Sequence, residues 1–303
     1  MCSGGLGKLS SHRPRISVIV PFHNARPYLR ECIDGLLDQT IGRSSYEVLF
    51  VNNNSTDGGE ALVAAEPSIR MVHESKPGSY AARNAGLREA TGEVIAFTDP
   101  DCVPRPDWLE RVADAMHDLR TGIVLGFRSA PGDGFLLKLL AEYESEKMRY
   151  IVGRGRPELF FGHTNNMAVR RSVLDRVGAF EERMRGADTL FVQRAIELMG
   201  TGAVTYRDDV EVCHLEVASI FTFYKKNLIY GGSNERLGEK APFRPLAMGD
   251  RLRIARETIR KGRLPAALTA PMLLGALLPG LLCYELGRTG ARHRRNEHGQ
   301  AVG

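Results

Sequence analysis

Short β-branched runs alternate with segments of helical spacing along the first 120 residues of the chain. Ile16-Ser-Val-Ile-Val20 is apolar apart from one serine and stops at Pro21, which predicts a buried strand. Tyr28, Leu29, Cys32, Ile33, Leu36 and Leu37 recur at helical intervals, so residues 24–40 read as a helix with one apolar face. Tyr46–Val51 repeats the strand pattern, Asn52–Gly59 is a polar loop, and Glu60–Ala65 starts a second helix. A strand over Ile69–His73, a helix over Ser79–Ala90 stopped by Thr91-Gly92, a strand over Glu93–Thr98 and a helix over Trp108–Leu119 complete this half. Such alternation predicts βαβ units and an α/β fold, a mostly parallel, Rossmann-like sheet flanked by helices. Ligands of these sheets sit beyond the carboxyl ends of the strands. Three strand ends carry polar clusters here: His23-Asn24, Asn52–Asn54 and Asp99–Asp101. No Gly-x-Gly-x-x-Gly follows the first strand, which argues against a dinucleotide site.

Beyond residue 120 the pattern is less regular. Ile123–Arg128 reads as a strand, Phe135–Ile151 as a charged amphipathic helix, and Phe161–Arg170 as a loop entering a strand. A short helix over Ser172–Val177, capped by Ser172, precedes a longer one over Asp188–Met199. Val204–Tyr206 and Val210–His214 read as two short strands, and residues 219–260 as basic helix. Leu264–Tyr284 carries no charge and nears the length of a spanning helix, though Pro265, Pro271 and Pro279 interrupt it. Arginines stand on both flanks, so they set no orientation. A full span, an interfacial or re-entrant hairpin and a buried core helix all fit this segment. The expected organisation is a flexible tail over 1–15, one domain over 16–215, a basic helical extension over 216–263, a hydrophobic membrane-associating segment over 264–286 and a basic flexible tail over 287–303.

Composition changes the picture of location more than of fold. A 43% hydrophobic and 25% charged chain is an ordinary globular one, so wholesale disorder is excluded. The net charge of +5 comes with arginines gathered after Asp250 beside the apolar segment, not in a stripe interleaved with aromatics. The expected partner is therefore a membrane surface, and no nucleic acid. Cys2, Cys32, Cys102, Cys213 and Cys283 form no Cys-x-x-Cys pair, and residues 1–15 hold no apolar signal core, so the cysteines read as reduced cytoplasmic thiols.

The main chemical signal is Asp99-Pro-Asp101 at the end of an apolar strand. Two carboxylates two residues apart point the same way on extended chain and can share one hard divalent cation, with phosphate in its open positions. The triplet also makes an Asx turn, so its weight comes from its place after Val94-Ile-Ala-Phe-Thr98.

Together with Ser17-Val-Ile-Val-Pro-Phe-His-Asn24, Val51-Asn-Asn-Asn-Ser-Thr-Asp57, Gly78-Ser-Tyr-Ala-Ala-Arg-Asn-Ala-Gly86 and the Asp188 helix, Phe97-Thr-Asp-Pro-Asp101 resembles the family 2 glycosyltransferases of GT-A fold. The resemblance covers roughly residues 15–215. It implies inverting transfer from a nucleotide diphosphate-sugar, UDP- or GDP-linked, with 16–120 as the nucleotide-sugar half and 121–215 as the acceptor half. By the same resemblance Pro21, Phe22 and Asn24 would line the nucleotide pocket. Asn53 stands where the family usually has an acid on the base or ribose, and an amide there donates as well as accepts. Arg83 and Asn84 would face the nucleotide-sugar, Arg83 as a fork on phosphate. Asp101 would be the main metal ligand, Asp99 would touch ribose or metal, and Mg2+ or Mn2+ would neutralise the leaving diphosphate. Asp188 follows Ala187 where the family pattern is Glu-Asp, and matches the base that deprotonates the acceptor hydroxyl. An N-cap is a second use for it.

His214 would be a late ligand of metal or diphosphate, with a structural histidine as the alternative. His163, Thr164, Asn165 and Asn166 would contact acceptor or donor sugar. Tyr224, Lys225 and Lys226 could screen the leaving diphosphate, but a solvated or membrane-facing basic surface is the simpler reading. The apolar tail favours a lipid-linked hydroxyl acceptor, a peripheral or single-pass position on the cytoplasmic face of the cell membrane, and a place in envelope polysaccharide or glycolipid synthesis. Two alternatives from other classes are a non-catalytic sugar-nucleotide-binding scaffold and a sugar nucleotidyltransferase. Intact Asp99, Asp101 and Asp188 oppose the first, and the lack of a glycine-rich phosphate loop at Pro21-Phe-His-Asn24 opposes the second. A processive synthase would need several spanning helices, and one candidate is visible.

Overall fold

The computed structural model describes residues 16–132, 134–182, 185–237, 244–261 and 266–300; the expected tail over 1–15 lies outside them. β1 (Ile16–Phe22) leads through α1 (Arg26–Leu37), β2 (Tyr46–Asn52), α2 (Gly59–Ala64), β3 (Arg70–His73) and α3 (Ser79–Glu89) to β4 (Val94–Thr98). β1 and β4 are buried at every position, as strands covered on both faces must be. All pairings among these four strands are parallel. Pro21 is tolerated in a central strand because the pairing with β4 covers only Ile16–Ile19.

The second half makes the sheet mixed. It holds β5 (Cys102–Pro104), α4 (Trp108–Ala115), β6 (Ile123–Ser129), α5 (Phe135–Arg154), β7 (Asn166–Arg170), α6 (Arg171–Val177), α7 (Ala187–Met199) and β8 (Val204–His214). The eight strands lie in the order β3-β2-β1-β4-β7-β6-β8-β5. β7 runs antiparallel to β4 and β6, β5 runs antiparallel to β8, and β6 pairs parallel with β8. Parallel pairings still outnumber antiparallel ones, and they dominate the N-terminal half. The two short strands expected over 204–214 are one strand with a bulge, where the register passes from Gly126↔Arg207 to Phe127↔Glu211. Ser172 lies inside α6 and caps nothing, since the residue before the helix is Arg170.

One apolar cluster fills the face under α1, α2 and α4, around fully buried Trp108. The other lies under α3, α6 and α7, where the Phe180 ring sits 4.9 Å from Phe191 and 5.3 Å from Phe97. A Cβ on Gly86 would lie 2.6 Å from Ile19 Cγ2, so glycine is what lets α3 seat this close to β1.

The C-terminal extension consists of α8 (Ile220–Leu237), α9 (Met248–Lys261) and α10 (Ala266–Gln300). Residues 287–300, expected as flexible tail, continue α10 as helix; 262–265 and 301–303 lie outside the described residues. α8 and α10 cross at glycines. A Cβ on Gly231 would lie 1.9 Å from Tyr284 O, and one on Gly287 2.0 Å from Leu228 O. Small residues at such a crossing let two backbones approach, a device common among membrane helices. Ala266–Ala291 is long and apolar enough to cross a membrane by length and composition. Only 22% of its most apolar window is buried, so it is not the core helix of a soluble fold.

Candidate functional site

The site is assembled by a turn and a register. After β4 the chain turns at Asp99-Pro100-Asp101, closed by the Cys102 N–H donating to Asp99 O at 3.0 Å. β5 then pairs with β8 so that Cys102 lies opposite His214, and the Leu215 N–H donates to Asp101 O at 2.8 Å. That pairing delivers His214 Nε2 to 3.1 Å from Asp101 Oδ2. Lys226 Nζ, from α8, stands 3.0 Å from the same imidazole nitrogen and 2.8 Å from Glu216 Oε2. From the other side Arg83 on α3, only 3% exposed, ion-pairs with Asp99. Its Nε is buried and makes no hydrogen bond among the described residues.

Burial raises the Asp99 carboxyl above its ordinary range; the Arg83 charge opposes this and the Asp101 charge adds to it. Burial also pushes Asp101 upward. There the His214 hydrogen bond, with the charges of His214 and Lys226, prevails and holds the group below the ordinary range. Asp101, Cys102 and His214 bring ligand atoms within 4.8 Å of one another. Burial pushes the Cys102 thiol well up, so it stays protonated and is no ligand for a hard ion. The donors left are carboxylate oxygen and imidazole nitrogen, with Asp99 alongside, a set that fits Mg2+ or Mn2+ rather than a thiolate-seeking metal.

Asp188 is the second residue of α7, after Gly186 with φ of 84°. A Cβ on Gly162 would lie 2.4 Å from Asp188 O, so only glycine lets the 160–165 segment lie against the start of α7. Burial raises the Asp188 carboxyl, against the pull of the Thr189 N–H at 2.8 Å and of Arg83. The Tyr80 phenol also reaches Asp188, and its ring lies 5.2 Å from the Arg83 guanidinium. Sequence reasoning passed over Tyr80, although it sits one turn before Arg83 on the same helix face.

Several of the expected contact residues also have partners within the protein. Pro21 and Phe22 are buried in β1, with the Phe22 ring 6.1 Å from Phe50 in the core. Asn24 accepts from the Thr56 N–H at 2.8 Å, in a left-handed conformation with φ of 49°. Asn53 Nδ2 donates to Glu74 O and Lys76 O at 2.7 and 2.8 Å, and its Oδ1 accepts from the Gly78 N–H at 2.8 Å. Its amide thus shapes the turn before α3. Asn84 exchanges hydrogen bonds of 2.9 and 3.0 Å with the Phe180 backbone. Asn166 holds Trp108 Nε1, Phe127 O and Val210 O at 3.0, 2.7 and 2.8 Å. A buried amide must satisfy both its ends, and backbone supplies most of the partners here, with the Trp108 indole N–H on Asn166 the side-chain exception. Lys226, by contrast, is drawn into the site with 18% of its side chain exposed, whereas Lys225 is exposed.

Arg83, Asp99, His214 and Lys226 line a cavity of about 470 Å³ that Asp188, His163 and residues of α10 also line.

A nucleotide-type sheet with carboxylates after β4, a histidine on β8 set opposite the edge strand β5 and a separate buried acid is the arrangement of a glycosyltransferase of the GT-A class. Residues 17–178, more than half the chain, match Glycosyl transferase family 2, and the protein belongs to that family. The nucleotide-sugar glycosyltransferase expected from the sequence is thereby borne out. The glycosyltransferase AglE of Haloferax volcanii is 29% identical over 214 residues, 68% of this chain and 68% of its own length. The uncharacterized glycosyltransferase EpsJ of Bacillus subtilis is 33% identical over 125 residues, 40% of this chain and 36% of its own. Among solved structures, the mannosyltransferase PcManGT from Pyrobaculum calidifontis, in complex with GDP-Man and Mn2+, gives a TM-score of 0.57 at 24% identity, over 96% of this chain and 87% of that one. This last likeness is one of fold.

Proposed function

We propose that the protein is an inverting transferase that binds a UDP- or GDP-linked sugar at Arg83, Asp99, Asp101 and His214, and uses Asp188 as its base. The observation that carries this is the pairing of two differently tuned acids at one site, where Asp188 and His214, the imidazole bonded to Asp101, line the same cavity. Asp101 is held ionised beside His214, while Asp188 stands apart in a drier place where its carboxylate is more basic. A divalent cation, Mg2+ or Mn2+, held by Asp101 and His214 with Asp99 beside them, would neutralise the leaving diphosphate. Arg83 adds its free Nε–H to a phosphate oxygen, and Lys226 supplies positive charge from α8. Asp188 takes the proton of the acceptor hydroxyl as that oxygen bonds to the anomeric carbon and the bond to the diphosphate oxygen breaks. One displacement from the opposite face inverts the anomeric centre.

The bound GDP-Man and Mn2+ of PcManGT support a metal-assisted nucleotide-sugar site. The apolar α10 supports a membrane position and a lipid-linked acceptor in envelope glycan synthesis. Titration calorimetry of UDP and GDP against the full chain tests the donor site: tight binding is expected with Mn2+ or Mg2+ and loss of binding in chelator. Equal binding in chelator overturns the metal assignment.

A further inference from the structure

The donor-site residues are only part of the cavity lining. The positive charges acting on Asp99 and Asp101 are those of Arg83, His214 and Lys226. A second group of cations lines the same cavity: Arg128 at the end of β6, Lys147 on α5 and Arg251 on α9. All three act on one carboxylate, Glu144, which ion-pairs with Lys147. Lys147 keeps 19% of its side chain exposed and sits 5.4 Å over the Phe161 ring. Arg251 donates through Nε to Leu246 O at 3.1 Å and lies over the Tyr284 ring at 5.9 Å. No hydrogen bond or ion pair among the described residues engages the Arg128 guanidinium. Three cations on one acid, drawn from three separate elements into a recess, leave positive charge that a bound anion would satisfy.

Two further observations say what else that anion carries. His163 donates from Nε2 to Gly126 O at 3.2 Å, which leaves its Nδ1 as a bare acceptor; that nitrogen is buried and has no partner among the described residues. His163 lines the same cavity as the cations and Asp188, and an acceptor hydroxyl there could donate to this nitrogen. One wall is hydrocarbon. Leu252 of α9 and Leu274, Leu277, Leu278 and Leu281 of α10 line it. Leu274 and Leu278 belong also to an exposed row, Leu274, Leu278, Leu282 and Leu286, so the cavity opens onto an apolar helix face. A free sugar or a soluble phosphosugar makes no use of such a wall.

We propose that this part of the cavity binds an acceptor that carries a phosphate group and a hydroxyl on a hydrocarbon chain. Arg128, Lys147 and Arg251 hold the phosphate, His163 receives a hydroxyl of the acceptor, and the chain leaves along the α10 leucines toward a bilayer. The word acceptor rests on the transferase reading above; the binding of such an amphiphile does not.

The test uses the full chain in nonionic detergent, with farnesyl phosphate, farnesol and inorganic phosphate as probes, each titrated with and without UDP or GDP plus Mn2+. Farnesyl phosphate should bind under both conditions, at least about tenfold tighter than farnesol or inorganic phosphate. Arg128→Gln should weaken it about tenfold while leaving Mn2+-dependent nucleotide binding unchanged. Glu144→Gln, which removes the one countercharge, should tighten it several-fold, an outcome misfolding cannot produce. Equal binding of farnesol makes the cavity an apolar groove without a headgroup site, and equal binding of inorganic phosphate makes it a free-anion site; either overturns the proposal. So do Arg128→Gln and Glu144→Gln variants that both bind like the parent. Absence of nucleotide binding defeats the donor reading alone, because the farnesyl phosphate titration is read without it.

Discussion

The carboxyl end of the sheet and the α8–α10 helices share one cavity but are held by opposite means. At the sheet, position is fixed by hydrogen bonds from buried amides: Asn53 to the 74–78 turn, Asn84 to Phe180, Asn166 across β6 and β8. In the helices, position is fixed by glycine contacts between backbones. The surfaces differ in the same sense. Of the large hydrophobic side chains exposed among the described residues, Leu119, Phe135 and Leu198 belong to the sheet region, while Phe221, Met248, Leu252, Leu268, Leu278 and others crowd α8–α10. The sheet region is complete in water, and the helical region keeps an apolar face that a soluble domain would have covered.

The largest effect expected from breaking this division is at Asp188. Asp188→Asn should lower transfer about 10²–10⁴-fold with Mn2+-dependent nucleotide binding unchanged. The raised Asp188 carboxyl gives this test a pH signature. The folded state holds that proton more firmly than the unfolded chain, so its ionisation costs stability as pH rises through the folded value. Asp188→Asn should therefore melt above the parent at pH 8, by a margin that shrinks on acidification, and parent activity should fade on acidification above the ordinary aspartate range. A margin that grows toward low pH would break the assignment.

His214→Ala comes next, with nucleotide affinity in Mn2+ about 10–100-fold weaker and affinity in chelator unchanged. Gly287→Leu sets a side chain against the Leu228 carbonyl and should cost about 1–3 kcal/mol, seen as a melting midpoint lower by several degrees. The smallest stability effect is the sharpest on location. Leu278→Glu should shift stability by less than about 0.5 kcal/mol yet reduce cosedimentation with lipid vesicles several-fold, while Leu119→Glu, at a still more exposed leucine on the sheet region, leaves cosedimentation unchanged.

The parallel half of the fold was legible because each strand is a local apolar run with its helix beside it in sequence. The antiparallel half was not, because its partners are remote: Val94–Thr98 pairs with Asn166–Arg170, and no local signal announces it. The bulge in β8 hid a single strand as two for the same reason. Asp99, Asp101 and Asp188 could be picked out as acids at element ends, and the structure sets Asp99 and Asp188 with Arg83 around one cavity, with Asp101 behind His214. For His214 the sequence offers only a late histidine; the β5–β8 register is what places it. Lys226 depends on the direction in which α8 leaves that strand, which charge pattern does not encode. The asparagines were recognisable as polar groups at strand ends, but an amide's identity does not say whether a ligand or the backbone will take its hydrogen bonds.

The bulge has a consequence for how this strand tolerates change in length. Asp208 and Asp209 lie in the stretch where β8 carries more residues than β6 opposite it. A residue gained or lost there alters the size of a loop already present. A residue gained between Glu211 and His214 has no such slack, and would turn each later side chain to the other face of the sheet. The imidazole is thus indexed by counting back from its partner Cys102, not forward from Val204, and chains of this kind should vary in length on one side of Glu211 and hold it constant on the other.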